Sequence, residues 1–303
     1  MEKLKDKGFF QGRKGAQRIY ILATLAFPAV HFVVFWLWVN LDSLVMPFQN
    51  NIGEFIGFTN FKWIFTTFIG GNANLNMLEA TKNTLIFFFW NLIVEMPIAV
   101  VLAYVFFKKI PGSKFFTIVL YLPSILSATV MTTVYKNFVG SDGPFSILWS
   151  ALGKEWIYPI THEPTAIPSM LAYNLWTGYG LNIILFCSAM RRVPKEIFES
   201  AALDGITMRQ ELTKIIIPLI WPTLSTMLIL AFIGIFGADG PILLFTNGEY
   251  GTMTIGFAMY QQYKVFNQVA RAAAIGYVYT VVGLPLVFFC RWLTGKMGGE
   301  YEY

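Results

Sequence analysis

Long apolar runs alternate with short polar ones along this chain. Six of the runs reach the roughly 20 residues that a helix needs to cross a hydrocarbon core: about 19–39, 84–107, 115–139, 166–190, 216–237 and 272–293. Between the fourth and fifth runs the pattern changes. Pro194 can open a helix, where its missing N–H costs nothing, and Ile197, Phe198, Ala201 and Ala202 repeat at helical spacing. Gly205 can stop that helix by taking a left-handed conformation that other residues resist. Thr207 followed by Gln210 has capping-box form, and Met208, Leu212, Ile215 and Leu219 stripe one face of a second helix. The segment therefore reads helix, glycine, helix. Arg191, Arg192, Lys195, Arg209 and Lys214, with Glu196, Glu199, Asp204 and Glu211, place it in water. An apolar stripe presented in water is a docking handle for another protein.

Charge orients the runs. Sixteen of the 22 Lys and Arg residues fall on one side: Lys3, Lys5, Lys7, Arg13, Lys14 and Arg18 before the first run, Lys108, Lys109 and Lys114 between the second and third, the five of the handle, and Arg291 and Lys296 at the end. Lys62, Lys82, Lys136, Lys154, Lys264 and Arg271 fall on the other. The positive-inside rule then predicts that both termini and the handle are cytoplasmic. No small-residue cleavage site follows the first run, which reads as an uncleaved anchor. The expected organisation is a basic cytoplasmic arm at 1–18, a membrane domain at 19–294 with the handle in a cytoplasmic loop at 191–222, and a cytoplasmic tail at 295–303. Outer segments are expected at 42–82, 140–164 and 239–271. Pro28, Pro97, Pro123 and Pro285 fall in or at the ends of runs, where local bends are expected.

Composition sharpens the class. With 56% hydrophobic residues, 17% aromatic, 13% charged and a mean hydropathy of +0.57, the chain is too apolar for a soluble globule and reads as an all-α integral membrane protein with six transmembrane helices. The net charge of +5 is explained by basic loops facing anionic lipid and needs no nucleic acid. Cys187 and Cys290 read as small packing residues and His31 as a hydrogen-bonded one, while His162 falls in an outer loop. No phosphate loop, HExxH or acidic cluster is present, so neither ATPase nor metal chemistry is expected, and no catalytic or metal-binding residue is assigned. Trp176, Tyr179, Ile183 and Phe186 lie at helical spacing in the fourth run, as an aromatic stripe that can pack helices or stack on sugar faces. Glu95 and Asp239 are acidic outliers, and an ionisable group at membrane depth is a functional candidate by default.

The stretch Glu199-Ser-Ala-Ala-Leu-Asp-Gly205, followed by Ile217-Pro-Leu219 and Pro222, resembles the EAA loop of membrane subunits of bacterial ATP-binding-cassette (ABC) importers. Weaker matches follow in family order: Gly57-Phe-Thr-Asn-Phe61, Asn83-Thr-Leu85, Leu122-Pro123, Trp176 with Gly178, Arg192-Val-Pro194, and 270–274. Together they span Gly57 to the end and are similar to the carbohydrate branch that includes maltose and glycerol-phosphate permeases. Ser200 replaces the first alanine of the motif, a small-for-small change. Thr246-Asn-Gly-Glu-Tyr-Gly251 stands where that branch has threonine followed by Gly-Gly-Pro, and Ile235-Phe-Gly-Ala238 is apolar where some sugar permeases are polar.

The resemblance implies a type I ABC importer permease fold in a bacterial cell membrane. The expected partners are a second permease subunit in a heterodimer, a cytoplasmic ATPase dimer that carries ATP and Mg²⁺, and an extracytoplasmic solute-binding protein. It implies that Glu196, Phe198, Glu199, Ala201, Ala202, Asp204 and Gly205 form the ATPase-docking surface, and it makes Trp176, Tyr179, Phe186, Phe236 and Asp239 candidates for a sugar path. No cofactor is expected on this chain. Two other classes compete: a secondary transporter, which would carry ion-coupling acids in its spans, and a membrane-embedded enzyme, which would carry a catalytic acidic cluster in a loop.

Overall fold

A computed structural model describes residues 13–70, 75–237 and 241–298. Most of the basic arm, Asp239 and the last five residues of the tail lie outside the described residues. Among the described residues the chain is helical, with Gln49 and Phe55 forming an isolated antiparallel bridge.

Each apolar run forms helix. The first is α1 (Gly15–Phe48), and α2 (Thr59–Gly70) lies in the first outer segment. The second run is α3 (Met77–Phe107), opened by the Asn76 side chain, which accepts a hydrogen bond from the Glu79 N–H. The third is split into α4 (Ser113–Ile125) and α5 (Ala128–Val139), followed by the short helix α6 (Pro144–Ala151). The fourth is α7 (Glu163–Met190). The handle is α8 (Lys195–Leu203). It leads into α9 (Met208–Leu219) and α10 (Trp221–Ile233). Two short helices follow, α11 (Ile242–Phe245) and α12 (Ile255–Tyr260), and the sixth run is α13 (Val269–Gly298).

By length and apolarity α1, α3 and α13 can each cross a membrane unbroken. The third run is broken close to Pro123, where a bend is expected, and the fifth is broken where none is: α4 and the α5–α6 segment meet at 107°, and α9 and α10 meet at 72°. Proline lies close to both. Pro123 lacks the N–H that would bond the carbonyl four residues back, the backbone turns extended at Leu126 and Ser127, and the Ser127 hydroxyl caps α5 through the Val130 N–H. Pro218 and Pro222 flank the second bend at Ile220.

At Pro97 the helix stays continuous. A π-helical turn at Asn91–Glu95 precedes it, so Met96 N–H bonds the Asn91 carbonyl five residues back and the ring enters at a shifted register. Another π-helical turn, Glu211–Ile216, precedes Pro218.

Three buried clusters hold the bundle. One packs α3 against α7, the end of α9 and the bend at Ile220 through Ala99, Ala103, Phe106, Ile183, Phe186, Met190, Ile216 and Ile220. A second joins α2, α3, α12 and α13, and a third joins α5, α7, α11 and α12 through Met131, Tyr173, Phe245 and Phe257. Ala99 and Ala103, both fully buried, let α3 and α7 approach closely without a large side chain between them. The membrane-crossing part of α1 is unburied along its length, with Phe27 79% and Trp38 73% exposed. Lipid or another subunit must cover it.

Candidate functional site: the docking loop and a membrane-depth cavity

The chain leaves α7 at Arg191 and enters α8 after Pro194. Gly205 ends α8 at φ +67°, and two hydrogen bonds close the end: Gly205 N–H to the Ala202 carbonyl at 3.1 Å and Ile206 N–H to the Ala201 carbonyl at 3.3 Å. This is a Schellman closure, which requires the left-handed residue. No atom lies within 4 Å of where a Cβ would stand on Gly205, so the constraint there is backbone conformation and not space. Thr207 then starts α9 with the expected capping box: its N–H donates to Gln210 Oε1 at 2.9 Å, and Gln210 N–H donates to Thr207 Oγ1 at 3.4 Å.

The expected apolar stripe divides. Ala201 is buried, and Ile197 and Phe198 are half-buried against their own chain. The Phe198 ring sits 5.2 Å from that of Phe107 at the end of α3, with the Lys108 ammonium 5.9 Å from its centroid. Lys108 Nζ also lies 2.6 Å and 2.7 Å from the two carboxylate oxygens of Glu211 in α9, whose side chain is only 11% exposed. The outward surface is therefore Glu196, Glu199, Ala202, Leu203, Asp204 and Gly205, with Met208 beyond the turn; Leu203 is 90% exposed. Phe198 and Ala201 hold the handle to the bundle, because an aromatic ring and a neighbouring methyl gain more against Phe107 than in water.

The aromatic residues of the fourth run share a face but not an environment. Trp176 is half-buried near Tyr135, at 6.3 Å between ring centroids, in the cluster shared with α5, α11 and α12. Tyr179 packs on the cluster shared with α3, and Phe186 is completely buried within it. Phe186 has no surface to offer a passing solute and is a packing residue in this conformation. Phe236 lies against α13, 5.0 Å from Tyr279, and a Cβ on Gly283 would come within 3.2 Å of its ring.

At membrane depth a cavity of about 170 Å³ brings together polar groups from separate helices: Thr84, Asn91 and Glu95 of α3, Asn174 of α7 and Thr254 before α12. Glu95, 4% exposed, accepts a hydrogen bond from Asn91 Nδ2 at 2.9 Å. The helices touch here because position 178 is glycine; a Cβ would stand 2.9 Å from Glu95 Oε2. Asn91 and Asn174 were not singled out from sequence, although Asn91 stands four residues before Glu95, on the same helical face. Nearby, Asn83 Nδ2 donates to the carbonyls of Gly251 and Met253, each at 2.8 Å, and Ile255 N–H donates to Thr84 Oγ1 at 3.0 Å. These bonds pin the connection between α11 and α12 to α3. Among the described residues no three or more His, Cys, Asp and Glu side chains converge where a metal ion could sit.

The sequence profile of the family described as "Binding-protein-dependent transport system inner membrane component" matches residues 13–299, nearly the whole chain. The chain belongs to this family. Its relatives among binding-protein-dependent permeases include the arabinooligosaccharides transport system permease protein AraP of Bacillus subtilis, 28% identical over 97% of this chain and 93% of the relative. The multiple sugar-binding transport system permease protein MsmF of Streptococcus mutans is 25% identical over 91% and 95%. The sn-glycerol-3-phosphate transport system permease protein UgpA of Rhizobium meliloti is 24% identical over 85% and 88%. In structure the chain is similar to a bacterial alginate ABC transporter crystallised with an alginate pentasaccharide-bound periplasmic protein, with a TM-score of 0.82 and 23% identity over 94% of this chain and 98% of the other. That likeness establishes a shared fold, the all-α importer permease.

Proposed function

We propose that this chain is a permease subunit of an ATP-driven importer of sugars or oligosaccharides, and that α8 is the element through which a separate ATPase dimer moves it. The carrying observation is an exposed helix, closed by a left-handed glycine and braced on the end of α3 through Phe198–Phe107, an end that Lys108–Glu211 in turn ties to α9. A push on α8 passes to α3 through these contacts and to α10 through α9. ATP and Mg²⁺ belong to the partner, and this chain supplies the moving wall of an alternating-access path.

The sugar assignment is supported by the relatives, whose names refer to arabinooligosaccharides and multiple sugars. Trp176 and Tyr179 retain partly exposed aromatic surface suited to loose stacking on sugar C–H faces. A second permease subunit fits the uncovered α1, and a solute-binding protein docks on the outer segments. The chain resides in a bacterial cell membrane with both termini and α8 cytoplasmic.

The test is Gly205→Val. A β-branched residue in the left-handed region costs about 1–2 kcal/mol, and it breaks the turn that fixes α8 on α9. Membrane insertion is expected to persist while ATPase association and sugar uptake fall at least tenfold. Normal uptake in cells lacking the wild-type chain would refute the docking role.

A further inference from the structure

At the end of the bundle that carries α8, a crevice of about 550 Å³ opens between the α3–α4 turn, the first turns of α4 and the last turns of α7. Its apolar lining comes from Phe106, Ile110, Ile183, Ile184 and Cys187. Lys109, Lys114 and Arg191 also line it, all exposed, and no Asp or Glu does. The ion pair recorded among the described residues uses the neighbouring Lys108, so these three cations have no carboxylate partner there. The helix α4 starts beside them without a side-chain cap, behind left-handed Gly112, and adds the partial positive charge of its N-terminus. Its first turns carry Phe115, Phe116 and Ile118 at 51–66% exposure, so the crevice stands where the apolar band meets the polar loops.

We infer that this crevice binds an anionic phospholipid, with its phosphate between Lys109, Lys114 and Arg191 and an acyl chain along the apolar lining. A basic pocket between helices at the polar end of a membrane bundle is matched by an anionic headgroup. Each half of the site excludes a different alternative. A free phosphate would leave the apolar lining unused, and a zwitterionic lipid would bring its own ammonium group against three cations. Arg191 ends α7 and Lys109 follows the residue that braces α8, so the lipid ties together the helix ends beside the handle.

The test uses the chain purified in mild detergent with its accompanying subunits, delipidated, and titrated with phosphatidylglycerol or phosphatidylcholine under native mass spectrometry. With about 1 kcal/mol for each Lys near an anionic headgroup, Lys109→Gln/Lys114→Gln is expected to weaken phosphatidylglycerol binding on the order of tenfold or more. Lys109→Arg/Lys114→Arg should retain it. Lys62→Gln/Lys154→Gln, at the opposite end, should leave it unchanged. Equal weakening by the control pair, equally tight phosphatidylcholine, or displacement by millimolar glycerol phosphate would overturn the inference. A photo-crosslinker at Thr117 in the otherwise unaltered chain gives a readout independent of the charge variants: attachment to lipid is expected, and attachment to a partner protein would overturn it.

Discussion

Two glycines show how one residue type serves different constraints. At Gly205 the need is conformational, since φ is +67° and the surrounding space is empty. At Gly178 the need is space, since Glu95 Oε2 occupies the place of a side chain. Overpacking of this kind costs about 1–3 kcal/mol, so Gly178→Ala is expected to lower thermal stability. Adding Glu95→Ala should restore much of the loss, because it removes the group that is struck. A double variant as unstable as the sum of its singles, measured by unfolding in detergent, would show that the contact is not the cause. The aromatic pair is separable in the same way. Trp176→Ala and Tyr179→Ala should each reduce sugar uptake while leaving the order of preferred sugars unchanged, because stacking grips weakly and without hydrogen-bond readout. A switched preference in an assembled transporter would make α7 a selectivity element.

At the scale of elements, the proposed coupling runs through the connection between α8 and the spans. Phe198 links α8 to the end of α3, and Lys108 links the same end to α9. The Lys108 side chain is 30% exposed, so the pair contributes less than a fully buried one, and a working figure is about 1–2 kcal/mol. Lys108→Ala should leave Glu211 without its partner and uncouple ATP hydrolysis from uptake, and Lys108→Ala/Glu211→Gln should recover part of the coupling. A double-mutant cycle on the uptake-to-hydrolysis ratio measures the interaction directly, and strict additivity would mean that the bridge carries no force. The breaks at Leu126–Ser127 and Ile220 belong to the same scale. Both lie inside runs that are continuous in hydrophobicity, so the pattern of apolar positions does not show them; Pro123 marks the first in the sequence, and the second is seen only in the structure.

For the whole molecule, the distribution of Lys and Arg predicts the orientation. Reporter fusions after Arg192 and Lys296 should report cytoplasm, and fusions after Lys62, Lys154 and Lys264 the outer side. A cytoplasmic signal at Lys154 would break the six-span order. The number of helical runs, their membrane environment and the helix–glycine–helix handle were legible in the sequence, because each depends on local quantities: run length, local charge, and the conformational preferences of Pro194, Gly205 and Thr207. Which way the handle faces was not. The spacing of Ile197, Phe198, Ala201 and Ala202 marks an apolar face, but only the position of Phe107 in space turns Phe198 and Ala201 inward and leaves Leu203 exposed. The same holds for Phe186, whose place in a regular aromatic stripe says nothing of the α3 surface that buries it. The cavity around Glu95 needs Asn174 from a helix some eighty residues away. Periodicity reports which residues share a face; what the face meets is a property of long-range packing, which a single chain's pattern does not encode locally.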